Sequence, residues 1–263
     1  MNSSDSAPLP SYKSPPVIEV SFGVHFQRLD ALQVRHFGQF WESQLRDYPI
    51  TEDAQPTLPL FEEVQQRLVL LPLPPLRRMM AYSQDRVYVA QVQDSMFFYN
   101  WRKLASDQGY PRFGPIWNQF NGLCSAFQSF VSEEKVGELR PIKYELTYVN
   151  HIELGADVAE SLEEYVKLFR FSPIQAEFLS PPQSVNTTWR FNMPNERGTA
   201  TANLSNAKSA QGENMLVLAF TCHGTPSRAY GMDSWFESGH EWIVRSFTEL
   251  TTDKAHQKWQ RER

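Results

Sequence analysis

Alternating apolar and polar residues near the start of the chain limit its fold more than any other feature. In VIEVSFGVHFQ the apolar residues that fall on one face are Ile18, Val20, Phe22, Val24 and Phe26. Successive side chains of a β-strand point to opposite faces of a sheet, so this period of two predicts a strand with one face against a core. Such a strand needs neighbouring strands and a second layer that covers its apolar face.

The same alternation recurs along the chain and predicts a sheet of many strands. The stretches that carry it are RRMMAYSQ, RVYVAQVQDSMFFYNW, IKYELTYVNHIEL, PIQAEFLS, NTTWRFNM, TATANLSNA and NMLVLAFTCHG. Residues 83–85 and 93–95 are polar and are typical of hairpin turns, which join antiparallel neighbours. We therefore expect a mostly antiparallel arrangement.

Amphipathic segments predict the helices that cover the strands. The first has apolar residues at three- and four-residue steps, namely Val34, Phe37, Trp41 and Leu45. Asp30 precedes this segment and is expected to cap the helix, and the spacing places His36 on the exposed side. A second helix is predicted from the stripe Ile116, Phe120, Leu123, Phe127 and Phe130 or Val131, and Gly137 fits its end.

The chain closes with the longest predicted helix, followed by a short helical piece that contains His256. Its apolar stripe is Phe236, His240, Ile243, Phe247 and Leu250. Asp233 or Ser234 is the expected N-cap, with Glu237 at capping-box distance from Ser234. Because His240 lies on or beside the apolar stripe, we expect a buried, hydrogen-bonded histidine there rather than a catalytic one.

The order of these segments predicts an α+β fold with mostly antiparallel sheet(s), helices packed on one face, two β/α halves and a long C-terminal helix. We divide the chain into a leader (residues 1–16), a split β-α-β-like half (residues 17–154) and a β-rich half with the closing helix (residues 155–263). Whether the two halves share one continuous domain stays open. A short helix near residues 61–66 and another in residues 161–169 complete the prediction.

Composition narrows the functional classes. The formal net charge is −5, which argues against nucleic-acid binding because that activity needs clustered Lys and Arg. Only two cysteines are present, too few for a disulfide framework or a zinc ribbon. No run approaches the roughly 18 apolar residues of a membrane span, and residues 1–16 lack the basic and apolar regions of a signal peptide. We expect a cytoplasmic protein without membrane association.

Sequence motifs predict no catalytic residue, no cofactor and no metal site. A zinc-protease helix needs His-Glu-x-x-His, but position 244 is Val. His240 and Glu241 are adjacent in sequence and therefore point about 100° apart on a helix, which makes a poor catalytic pair. No Gly-x-Ser-x-Gly elbow and no glycine-rich phosphate loop occurs.

The most distinctive local segment is NWRKLASDQGYPRF, residues 100–113. It brings Trp101, Arg102, Tyr110 and Arg112 to a strand-to-helix corner. Two arginines near a helix N-terminus are able to hold an anion, whereas the simpler interpretation has Tyr110 packing at the helix start and the arginines facing water. With His240, these four residues are the candidate binding residues, and the simpler interpretation is favoured for all of them.

Four pieces of the sequence together resemble a sporadically distributed prokaryotic family of uncharacterised proteins. The pieces are PPVIEVSF, FFYNWRK followed by YPRF, YVNHIEL, and WFESGHEWIVRSFTELTTDKAHQKW. The family's middle strand more often reads Asn-Arg-Ile, whereas this chain has Asn150-His151-Ile152. The resemblance implies no reaction and no cofactor. It does imply a patchy distribution, which suits mobile-element, toxin–antitoxin or defence modules.

Three functional hypotheses follow. The leading one is a non-enzymatic accessory protein that binds a protein partner, with homo-oligomers left open. The second is a small-ligand module with an apolar pocket between the sheet and the C-terminal helix; its lining would be Tyr144, Tyr148, Trp189, Phe191 and Phe220. The third is an enzyme of unknown class that uses His240.

Overall fold

The computed structural model describes residues 8–57, 76–154, 164–167, 184, 186–209 and 211–263. Within these residues, nine strands form one sheet in the order β2-β3-β4-β5-β1-β6-β9-β8-β7. The strands are β1 (Val17–Phe26), β2 (Ile50–Ala54), β3 (Arg78–Tyr82), β4 (Tyr88–Gln93), β5 (Met96–Arg102), β6 (Pro141–Glu153), β7 (Asn186–Asn192), β8 (Thr199–Lys208) and β9 (Asn214–Gly224). The helices are α1 (Val34–Gln44), α2 (Phe113–Glu133), α3 (Met232–Leu250) and α4 (Asp253–Lys258).

The chain divides into two compact units, and each is described by itself. The central unit comprises Ser21–Leu104 and Arg112–Tyr144. The terminal unit comprises Met1–Val20, Ala105–Pro111 and Glu145–Arg263. The predicted α+β class, the antiparallel strands and the long C-terminal helix are confirmed. The predicted helix at residues 61–66, most of the one at 161–169 and the predicted strand PIQAEFLS lie outside the described residues.

In the central unit, hairpin-linked strands carry a core of phenylalanines under α2. Phe120 stacks on Phe22 with ring centroids 5.4 Å apart, and Phe127 stacks on Phe97 at 5.7 Å. Phe40 of α1 meets Phe127 edge-on at 5.1 Å. Aromatic pairs of this geometry add to the free energy gained by burial alone. The helical spacing of α2 therefore places its apolar stripe on one face of these strands.

The first helix, α1, begins at a different residue from the one predicted, and a different side of the helix is buried. It begins at Val34 with Gln33 as N-cap, because residues 29–32 form a turn closed by the Leu32 N–H and the Leu29 carbonyl. His36 completes a capping box by accepting the Gln33 N–H at Nδ1, 2.9 Å away, and is buried, so the expected exposure of His36 was wrong. Val34 is 69% exposed, which contradicts its place in the stripe.

In the terminal unit, α3 packs on one face of β6 and β9. Gly239 lies so near the sheet that an added Cβ would come 3.3 Å from the Leu146 side chain. Phe247 packs edge-on against Phe220 at 6.3 Å. The helix begins after Gly231, not at Asp233 or Ser234. Ser234 lies instead in the first turn, where its carbonyl and hydroxyl accept from the guanidinium of Arg197, as does the hydroxyl of Ser238.

Phe127 tests whether the aromatic layer of the central unit stabilises the fold as its burial implies. Phe127→Ala is expected to lower the free energy of unfolding by about 3–5 kcal/mol, because it removes a fully buried ring and leaves a cavity. Gln128→Ala is the matched control on the exposed side of the same helix and should change stability by less than about 0.5 kcal/mol. Urea denaturation followed by tryptophan fluorescence measures both. Equal losses would show that the ring does not stabilise the fold in this way.

Candidate functional site

A chain of three side chains in the terminal unit joins two of the candidate residues. The Tyr148 hydroxyl lies 3.0 Å from Nδ1 of His240 and 3.1 Å from the Tyr110 hydroxyl. Tyr148 comes from the middle of β6, His240 from α3, and Tyr110 from the segment before α2. Tyr148 and His240 are 92 positions apart in sequence, so only the folded chain brings these groups together.

Burial keeps His240 and Tyr148 uncharged at neutral pH. Loss of solvent lowers the pKa of His240 to about 4, and the neighbouring carboxylate of Glu241 only partly opposes this. Burial and the nearby Tyr110 hydroxyl raise the pKa of Tyr148 well above its usual value. A general base works best when its pKa lies near the working pH. His240 is therefore a poor base at neutral pH, as expected for a histidine that helps to hold α3 on the sheet.

The remaining candidate residues lie in the central unit. Trp101 is 1% exposed and belongs to the core on β5. Arg102 lies over the Tyr82 ring and donates to the Arg86 carbonyl at 2.8 Å. Arg112 is exposed at the start of α2, with a positive φ of 74°. The guanidinium of Arg102 thus contacts β3 and the turn that joins β3 to β4.

Of the residues proposed to line an apolar pocket, Tyr144 belongs to the central unit, and the other four belong to the packed interior of the terminal unit or to its margin. Tyr144, Tyr148 and Phe220 are buried, whereas Trp189 and Phe191 are half-buried. Phe191 and Phe220 both contact the indole of Trp242, which fills space between α3 and the strands. These aromatic rings therefore pack in the core or at its edge.

A second group of side chains, around His256, has the residue types of a nucleophilic triad, but its hydroxyl is not accessible to a substrate. Nε2 of His256 lies 2.9 Å from the Thr251 hydroxyl, and its Nδ1 lies 3.7 Å from a carboxylate oxygen of Asp253. Thr251 is fully buried and donates to the Phe247 carbonyl at 2.6 Å. A nucleophile needs an exposed hydroxyl. This group instead satisfies the C-terminal end of α3.

Both cysteines, Cys124 and Cys222, are buried and unreactive. Burial raises the pKa of Cys124 to about 12 and raises that of Cys222 as well. A thiol of high pKa carries little thiolate at neutral pH and is inert. Within the described part of the chain, no group of three or more His, Cys, Asp and Glu side chains could hold a metal ion. No described helix has the length and apolar character to cross a membrane.

Polar side chains gather instead on the face of the terminal unit's strands that points away from α3. Strand register aligns them in two rows: Arg190, Thr201, Thr221 and Thr147 form one, and Asn192, Thr199, His223 and Glu145 form the other. We call these eight residues the polar face. Arg190 and Asn192 are exposed, and the other six are half-buried.

Cross-strand contacts fix the polar face in place. The hydroxyls of Thr147 and Thr221 lie 3.0 Å apart, and Nε2 of His223 lies 3.3 Å from a Glu145 oxygen. Sequence reasoning identified the strands that carry these residues but not the face as a site. The alternating Thr199, Thr201 and Asn203 in TATAN were the available signal, because period two places all three on the side opposite the core.

No family model, curated protein or solved structure matches this chain.

The neutral state of His240 makes a prediction about acid stability. The pKa of about 4 in the folded protein lies below the ordinary value of 6.5. As pH falls from 6.5 towards 4, the unfolded chain therefore binds a proton that the folded chain refuses, and stability falls. The loss attributable to His240 should reach about 3 kcal/mol.

The measurement compares wild type with His240→Asn, whose amide oxygen can accept the Tyr148 hydroxyl but cannot titrate. Urea denaturation at pH 7.5 and pH 4 should show that acid destabilises the wild type by more than the variant. Parallel losses in the two proteins would mean that His240 titrates normally.

Proposed function

We propose that this chain is a non-enzymatic interaction protein that binds a protein partner through the polar face. The observation that carries the proposal is the contrast between the interior and this face. The side chains of Tyr148, His240, His256 and both cysteines are held in buried contacts, whereas hydroxyl, amide and guanidinium groups stand in register at the surface beside the pair of His223 and Glu145.

The shape of the polar face favours a macromolecular partner over a small ligand. Small molecules bind in concave sites that enclose most of their surface. Side chains on one side of an antiparallel sheet instead form a broad, shallow surface. Arginine is enriched at protein interfaces, and Arg190 is the exposed cation at the β7 end of the first row.

The size of the surface favours a transient complex. Four neighbouring strands span about 19 Å, and the two rows of the polar face lie two residues, or about 7 Å, apart along them. The resulting footprint is roughly 130 Å², far below the roughly 800 Å² per partner of a standard interface.

The proposed biological setting rests on the sequence resemblance alone. A patchy distribution suits an accessory module, such as a mobile element, a toxin–antitoxin pair or a defence system. The partner in such a module would be encoded close to this chain. Identification of the neighbouring genes therefore provides the first candidate partners for a direct binding measurement.

Charge reversal on the polar face tests the proposal. Arg190→Glu should weaken binding of the candidate partner by at least about tenfold, because it replaces an exposed cation with an anion within the interface. Lys208→Glu is the control, since Lys208 is also exposed on this group of strands but lies outside the polar face. It makes the same change of net charge.

Isothermal titration calorimetry with the purified candidate partner gives the dissociation constants. Wild type and Lys208→Glu should bind with similar affinity. The proposal fails if none of the neighbouring gene products binds. It also fails if Arg190→Glu binds as tightly as the wild type.

A further inference from the structure

In the terminal unit, residues 11–14 and residues 259–262 form a short antiparallel pair. Tyr12 pairs with Arg261, and the N–H groups of Lys13 and Ser14 donate to the carbonyls of Gln260 and Trp259 at 3.0 and 3.2 Å. The Glu262 N–H donates in return to the Ser11 carbonyl at 2.8 Å. We call residues 11–14 with residues 259–262 the terminal latch.

Tyr12 anchors the latch in the interior. Its side chain is 4% exposed, and its ring centroid lies 5.6 Å from those of Phe247 and His256 and 6.3 Å from that of Trp259. Its hydroxyl lies 2.9 Å from that of Thr248. The residue that pairs with Arg261 through its backbone thus touches His256 through its ring.

The contacts of His256 indicate which of its nitrogens carries the proton. The Thr251 hydroxyl donates to the Phe247 carbonyl, so its oxygen accepts from Nε2 of His256, 2.9 Å away. Nδ1 is then the acceptor in the neutral ring. It faces Nη1 of Arg261 at 3.5 Å. Arg261, a residue of the latch, therefore faces the ring nitrogen of His256 that acid would protonate.

The charges around His256 oppose its protonation overall. Arg261 and Lys167 present positive charge, while Asp253 presents a carboxylate 3.7 Å from Nδ1 that is 90% exposed and therefore screened by solvent. The Tyr12 phenol faces the ring from the N-terminal segment. Burial is the largest cause of the lowered pKa of His256, and the two cations add to it.

We propose that His256 makes the terminal latch acid-sensitive, so that protonation of its Nδ1 releases the pairing between residues 11–14 and residues 259–262. The added proton removes the acceptor that Arg261 faces and leaves two cations 3.5 Å apart. Because the backbone of Arg261 pairs with Tyr12, this repulsion acts directly on the latch. The closed latch disfavours the charged ring, so opening is favoured as pH falls below the ordinary histidine pKa of 6.5.

Hydrogen exchange on the full-length chain tests the latch. Amides of Lys13, Ser14 and Glu262 should lose protection by a factor of about three or more between pH 7.5 and pH 5, after correction for intrinsic exchange rates. Amides of β9 in the terminal unit and of β4 in the central unit should keep theirs, which would distinguish latch opening from unfolding of either unit.

Two variants assign the effect. His256→Gln keeps an amide donor for Thr251 but cannot be protonated, so its latch amides should hold the same protection at both pH values. His36→Gln removes a different buried histidine, in the central unit, and should leave the acid response unchanged. The proposal is overturned if acid leaves the wild-type latch protected. A response that persists in His256→Gln, or disappears in His36→Gln, overturns it equally.

Discussion

Burial of one sheet face beneath a closely packed helix is the constraint on which the terminal unit depends. At Gly239 the absence of a side chain lets α3 approach Leu146 and Cys222 closely, and an added Cβ would require the Leu146 side chain to shift by a few tenths of an ångström. That approach brings His240, one position later, within 3.0 Å of Tyr148. The hydrogen-bonded chain of Tyr110, Tyr148 and His240 is therefore a consequence of helix packing.

The same packing decides what chemistry remains available. His36 and His256 are also buried, and each has hydrogen-bond partners: His36 completes the start of α1, and His256 contacts the hydroxyl of Thr251, which accepts its Nε2 proton at the end of α3. Buried polar groups are costly unless they are hydrogen-bonded. These imidazoles thus satisfy backbone and hydroxyl groups that helix ends would otherwise leave unpaired. Proposals about function accordingly rest on the surface opposite α3.

Local periodicity predicted the strands well, because alternation reports directly which side chains face a core. Val20, Phe22, Val24 and Phe26 are all buried in β1, as the pattern indicated, although Ile18 is only half-buried. The rotation of α1 was harder to predict. Phe40 is fully buried where Trp41 was expected, because a turn before the helix moved its start and its N-cap. Such a shift depends on tertiary packing, which short sequence windows do not record.

The candidate site was less predictable than the fold for a related reason. Tyr110 and His240 were identified separately, but Tyr148, which joins them, was expected only as an aromatic pocket or core residue. The rows of the polar face depend on strand register, in which Arg190 lies opposite Thr201 and Thr201 opposite Thr221. Register follows from turns and long-range pairing, so a list of alternating residues does not reveal it.

The terminal latch has a practical consequence for engineering. Since Ser11 and Glu262 lie side by side, a short flexible linker could connect these two residues without disturbing the strands, and the chain could be cut in the exposed turn at Gln211–Glu213. Conversely, a bulky group placed directly before Ser11 would crowd Glu262. Reporter domains are therefore better inserted into that turn than placed next to the terminal latch.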